Sequence, residues 1–113
     1  MLFRSVSGLG ADGRFVYVSD DKGAVHALDR VNGTSLWKQD KLLNRDLSAP
    51  VALGTVVAVG DVAGFVHLLS RENGAFAARV ATDGSAISAA PVATASGFVV
   101  QTRKGGVYAF SLK

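Results

Sequence analysis

The 113-residue sequence predicts an all-β chain built of β-propeller blades, on three observations. It matches itself at an offset of 41 residues, the size of one four-stranded propeller unit. Its apolar residues, chiefly Val, Leu, Ala and Phe, come in short runs separated by Gly, Asn and Asp, the pattern of brief strands and tight turns. No segment sustains the three-and-four apolar spacing of a helix.

The repeat carries strands and turns together. Phe15-Val16-Tyr17-Val18 aligns with Val56-Val57-Ala58-Val59, and Val57-Ala58-Val59 with Phe98-Val99-Val100. Gly23, Gly64 and Gly105 coincide, as do Val25, Val66 and Val107, and then His26, His67 and Tyr108. Ala49-Pro50-Val51 falls on Ala90-Pro91-Val92, and Asn32-Gly33 on Asn73-Gly74.

In chain order, the first blade (about 4–40) has an innermost strand near Gly8 to Ala11, then strands at 14–19, 24–30 and 34–39. Asp12-Gly13 and Asn32-Gly33 are its turns, pairs whose residues tolerate positive φ. The second blade (49–81) reads as strands at 49–53, 55–60, 65–71 and 75–81. The third (89–113) offers strands at 90–94, 97–102 and 106–112 and lacks its outermost strand.

A blade buries both faces only when it has neighbours on both sides. At about 25 cal/mol per Å², a bare face of several hundred Å² forgoes on the order of 10 kcal/mol, comparable to the whole stability of a small domain. Three blades of eight span about 135°, nearer the 120° of a three-fold ring than the 180° of a two-fold one. The expectation is therefore that the chain is a fragment or closes a ring with copies of itself, a trimer of nine blades being the preferred form.

Composition narrows the function. The absence of cysteine excludes a disulfide framework and a thiolate metal site. No apolar run reaches the length of a bilayer span, and Met1-Leu2-Phe3-Arg4-Ser5 lacks the apolar core of a signal peptide, so a soluble chain is expected. The formal charge is +3, with 12 Lys and Arg spread along the chain and no aromatics interleaved as a stacking platform, which argues against a nucleic-acid partner. That excess suits solubility or attraction to an acidic partner.

Ala27, Asp29, Gly33 and Trp37 share the spacing of the tryptophan-docking signature of quinoprotein-like β-propellers, a family in which the tryptophan lies between neighbouring blades and locks them. Together with Asp12-Gly13-Arg14-Phe15-Val16-Tyr17-Val18-Ser19-Asp20, Gly23-Ala24-Val25-His26-Ala27-Leu28-Asp29 and Leu36-Trp37-Lys38, the chain resembles the carboxyl-terminal blades of the BamB family. Leu42-Leu43-Asn44-Arg45 before Ser48-Ala49-Pro50-Val51, Val59-Gly60-Asp61 with Gly64-Phe65-Val66-His67, and Lys104-Gly105-Gly106-Val107-Tyr108 extend the likeness. The resemblance implies an eight-bladed, non-enzymatic scaffold without a cofactor, supporting assembly and insertion of outer-membrane β-barrel proteins. It further implies a place at the periplasmic face of the outer membrane, a lipid anchor on an amino-terminal cysteine, and a partner in the periplasmic domains of the BamA-like barrel-inserting subunit. That cysteine is absent here, so the membrane would be reached only through an anchor this sequence does not contain. The docking signature decays along the chain, where Trp37 falls on Ala78.

Single residues carry less. Trp37 reads as a lock between blades. His26 and His67 share a repeat phase but have no companion ligand pattern, so they read as structural rather than metal-binding. Asp20, Asp21 and Asp61 follow second strands and suit Asx capping of turns. Gly8-Leu9-Gly10-Ala11-Asp12-Gly13 satisfies G-x-G-x-x-G, yet a strand rather than a helix follows, so no dinucleotide site is expected. No catalytic triad, metal or phosphate-loop motif occurs, and no catalytic residue is assigned.

One linker breaks the repeat. Leu42-Leu43 stands where the next linker has Asp83-Gly84, placing apolar residues at a turn beside Arg45. Leu42, Leu43 and Arg45 suit a partner-binding patch on the rim, with a tuck of the leucines over the blade edge as the alternative. Two other functions share the period. A quinone-dependent dehydrogenase needs a pocket converging from more blades than this chain holds, and a generic repeat adaptor expects Trp-Asp where Trp37-Lys38 stands.

Overall fold

The computed structural model describes residues 6–42, 45–87 and 89–112, and the statements below concern these. They form eleven strands and no helix. The first sheet holds β1 (Val6–Ala11), β2 (Phe15–Asp20), β3 (Val25–Asp29) and β4 (Ser35–Gln39). The second holds β5 (Val51–Leu53), β6 (Val56–Gly60), β7 (Phe65–Ser70) and β8 (Phe76–Ala81). A three-stranded sheet of β9 (Val92–Ala93), β10 (Gly97–Gln101) and β11 (Val107–Ser111) completes the series. Each sheet is an antiparallel meander with its strands in chain order, as the all-β propeller class requires.

Asx side chains and glycines close the hairpins. Gly33 and Gly74 both take positive φ (73° and 75°), the conformation an Asn-Gly turn needs. The first turn works differently. Its glycine stays out of that region, and Asp12 Oδ1 accepts the N–H groups of Arg14 (2.9 Å) and Phe15 (2.8 Å) instead.

Two cores separate three layers. Between the first and second sheets lie Phe15, Tyr17, Val25, Ala27 and Trp37 against Val57, Val59 and Leu69, with Leu42 and Leu47 from the linker. Between the second and third lie Ala58, Val66 and Leu68 against Phe98 and Val100, with Ile87 from the next linker. Successive side chains of a strand point to opposite faces, so β6 sends Val57 and Val59 one way and Ala58 the other. The second sheet is thus buried on both faces, while Leu9, Val92 and Val107, on the outer sheets, are more than three-fifths exposed.

The glycines of β1 set how closely the first two sheets approach. A Cβ on Gly8 would lie 2.3 Å from Ala49 Cβ, and one on Gly10 would lie 2.1 Å from the Pro50 carbonyl oxygen. Gly8-Leu9-Gly10 is therefore a packing device at the inner end of the junction, and no helix follows it. Gly10→Val should destabilise by about 1–3 kcal/mol through overpacking, whereas Gly13→Ala, with open space around its Cβ, should change stability by less than about 0.5 kcal/mol. Urea denaturation compares them, and equal midpoints would contradict the close approach.

Candidate functional site

Two places bring chemistry together: the junction of the first two sheets and the rim beside it. At the junction, Trp37 on β4 points into the core opposite Ala27, its partner across the β3–β4 ladder. Its indole N–H donates to the Arg71 carbonyl at 2.8 Å, in the turn after β7, and its ring fills the space a Cβ on Gly74 would need, 2.4 Å away. Gln39 adds a bond from Nε2 to the Gly74 carbonyl at 2.8 Å. The Arg71 side chain crosses back to the first sheet, donating from Nε to Asp12 Oδ2 at 2.7 Å and lying over the Phe15 ring at 4.4 Å. The Tyr17 hydroxyl donates to the same carboxylate oxygen at 2.7 Å.

These contacts set the ionisation of the group. The Arg71 guanidinium holds the Asp12 carboxyl well below the usual range, with the Arg14 and Phe15 N–H bonds adding to it and outweighing burial. Burial, then the hydrogen bond and charge of Asp12, push the Tyr17 phenol up, so it stays a neutral donor. Asp29 and Gly33 sit in the turn after β3. Asp29 Oδ1 accepts Val31 N–H at 2.8 Å, and Gly33 N–H reaches the Asp29 carbonyl at 2.8 Å.

A second motif recurs at the β2–β3 and β6–β7 hairpins. Asp20 Oδ1 accepts the N–H groups of Lys22 and Ala24, and its Oδ2 pairs with His26 Nε2 at 2.9 Å. Asp61 repeats this with Ala63, Phe65 and His67, the last at 2.7 Å. In the third sheet Thr102 occupies that phase, and Asp83 supplies the carboxylate by accepting the Thr102 hydroxyl at 2.7 Å. Burial alone would raise the Asp20 and Asp61 carboxyls, but the histidine and N–H bonds lower both overall. Among the described residues, no group of three or more His, Cys, Asp or Glu is placed to hold a metal ion.

The rim linker departs from the patch expected at Leu42, Leu43 and Arg45. Leu42 is 2% exposed and packs in the first core, so it is not available to a partner, because an apolar side chain next to the open end of a sheet junction gains more by covering it. Leu43 lies outside the described residues. Arg45 is half-buried, with Nη1 3.3 Å from the wholly buried Asp61 Oδ2. Sequence spacing singled out Trp37 and Gly33 but missed Asp12 and Arg71, which are 59 residues apart and meet only through the stacking of sheets.

With this geometry the chain falls in a structural class, the quinoprotein-like β-propellers. It superposes on a quinohemoprotein alcohol dehydrogenase from Comamonas testosteroni with a TM-score of 0.75 at 19% identity, over 95% of this chain and 20% of that one, a likeness of fold alone. The BamB of Moraxella catarrhalis superposes with a TM-score of 0.84 at 32% identity, over 92% of this chain and 30% of that one. The family model described as outer membrane protein assembly factor BamB matches residues 3–39 and 21–113, and the chain belongs to that family. The outer membrane protein assembly factor BamB of Burkholderia pseudomallei is 50% identical over 108 residues, 96% of this chain and 28% of that protein. The chain therefore spans under a third of the length of the curated relative it matches.

Two outcomes follow. Trp37→Phe, which keeps an aromatic ring but removes the indole donor, should cost about 1 kcal/mol, and Trp37→Ala about 3–5 kcal/mol, in urea unfolding; a neutral Trp37→Ala would contradict the junction. The folded pKa values of Asp12, Asp20 and Asp61 lie below their unfolded ones, so their stabilisation is complete above the unfolded value and is lost progressively as pH falls from it toward the folded one. Stability should hold between about pH 5 and 7 and decline below about pH 4, less steeply in Asp61→Asn. A profile flat into strong acid would contradict this.

Proposed function

We propose that the chain is part of a non-catalytic scaffold in the assembly and insertion of outer-membrane β-barrel proteins. The observation that carries this is the 50% identity, over 96% of the chain, to an outer membrane protein assembly factor. The site of action is the periplasmic face of the outer membrane, and the partner is the periplasmic region of a BamA-like barrel-inserting subunit. No described helix is long and apolar enough to cross a membrane. We assign the chain no cofactor. Kinship to the dehydrogenase rests on fold at 19% identity, whereas kinship to BamB rests on sequence along nearly the whole chain.

In this function Ala27, Asp29, Gly33 and Trp37 lock sheets together. Ala27 is small, fully buried and paired with Trp37 across the β3–β4 ladder, and Asp29 holds the turn that presents Gly33. Gly33 repeats the phase of Gly74, on which Trp37 lies, and nothing stands within 4 Å of a Cβ placed there. The open face of the first sheet is thus shaped for a further propeller sheet. For the chain alone, a second copy is the available neighbour, and three copies make nine blades. Thr94 holds the phase of Asp12 at that contact, so it would lack the ion pair to Arg30, the residue at the phase of Arg71.

Titration of the chain against immobilised periplasmic domains of the barrel-inserting subunit should give saturable binding, with a light-scattering mass of three chains. No binding would contradict the assembly role, and a mass of one chain would remove ring closure. Saturable uptake of pyrroloquinoline quinone with calcium would favour the dehydrogenase instead.

A further inference from the structure

A cavity of about 370 Å³ opens on the rim, between the linker leaving β4 and the outer strand β8. Its walls are the linker between the first two sheets and strands β7 and β8 of the second sheet. Lys41, Arg45 and Arg79 line it beside Leu42, Phe76 and His67, and no Asp or Glu is among the lining residues. Asp61, which contacts Arg45 and His67 of the lining, is turned inside. It is fully buried and already accepts from His67, Ala63, Phe65 and Arg45. The Arg45 side chain keeps 38% of its surface in solvent, so part of its donor fork faces outward.

The other groups are held in place. Arg79 lies over the Phe65 ring at 4.5 Å, which orients its guanidinium without neutralising it. Phe76 packs edge-on to His67 with ring centroids 6.2 Å apart, yet remains 45% exposed. Ala77 and Ala78 keep the β8 wall low. The result is a slot with three cations and a half-open aromatic wall, on the edge of a sheet.

We propose that this slot binds an extended acidic segment of a partner protein, its carboxylates meeting Lys41, Arg45 and Arg79 and an apolar side chain between them resting on Phe76. The choice of occupant rests on charge: three cations with no lining acid favour carboxylates, and the exposed ring favours an apolar residue among them over a purely charged chain. This builds on the scaffold function proposed above and names the chemistry its rim selects.

The test uses the intact chain and a fluorescein-labelled hexapeptide of alternating glutamate and leucine, followed by anisotropy. Saturable binding that weakens with salt is expected, along with a loss of roughly tenfold or more in Lys41→Glu/Arg79→Glu and a smaller loss in Phe76→Ser, at unchanged circular dichroism. A lysine–leucine or glutamate–serine hexapeptide that binds as tightly would overturn the proposal, as would an unaltered affinity in the double variant. If the chain captures the barrel-inserting subunit's periplasmic domains while the glutamate–leucine peptide fails, the slot is refuted and the scaffold function stands. If the peptide binds and those domains do not, the slot stands and the scaffold function falls.

Discussion

The structure depends on a packing constraint: a sheet with two apolar faces is stable only between two others. The second sheet meets it. In β6, Val57 and Val59 enter one core and Ala58 the other, and β7 divides Leu69 from Val66 and Leu68 in the same way. The whole strand must then read as apolar rather than alternating, which is why β6 is buried at four consecutive positions. The same constraint leaves Leu9 on one outer sheet and Val92 and Val107 on the other in solvent.

The two junctions meet the constraint by different chemistry at equivalent positions. The first is polar at its edge, where Asp12 receives Arg71 and Tyr17 and where Trp37 reaches a backbone carbonyl. At the second, Leu53 and Leu112 hold the phases of Asp12 and Arg71 and pack against the apolar core, while Phe98 stacks on Phe110 at 5.2 Å. A salt bridge confers direction and geometry, but its net contribution is modest once desolvation is counted; a leucine pair contributes burial with less specificity. The indole supplies both at the first junction, which fits the loss of tryptophan from the second, where Ala78 takes its phase.

The fold was legible because the hairpin turns and strand alternation are local and recur every 41 residues. The extent of Trp37's contacts was legible only in outline: its spacing to Ala27 and Gly33 is visible along one hairpin, but its partners Arg71 and Gly74 belong to the next sheet. Leu42 left two readings open, partner patch or tuck over the blade edge, because a dileucine in a linker has no period to reveal which way it turns. In the fold it closes the core, and the exposed chemistry passes to Lys41, Arg79 and Phe76, which come from two separate segments.

The central claim, that neighbouring sheets are clamped around Trp37, has a direct probe, because the chain contains one tryptophan. Its fluorescence in the native protein, followed through a urea titration beside far-ultraviolet circular dichroism, reports the junction alone. The account predicts native emission shielded from acrylamide and a single transition coincident with loss of β-structure. Emission already solvent-like in the native state, or a fluorescence transition complete before the sheets unfold, would contradict it.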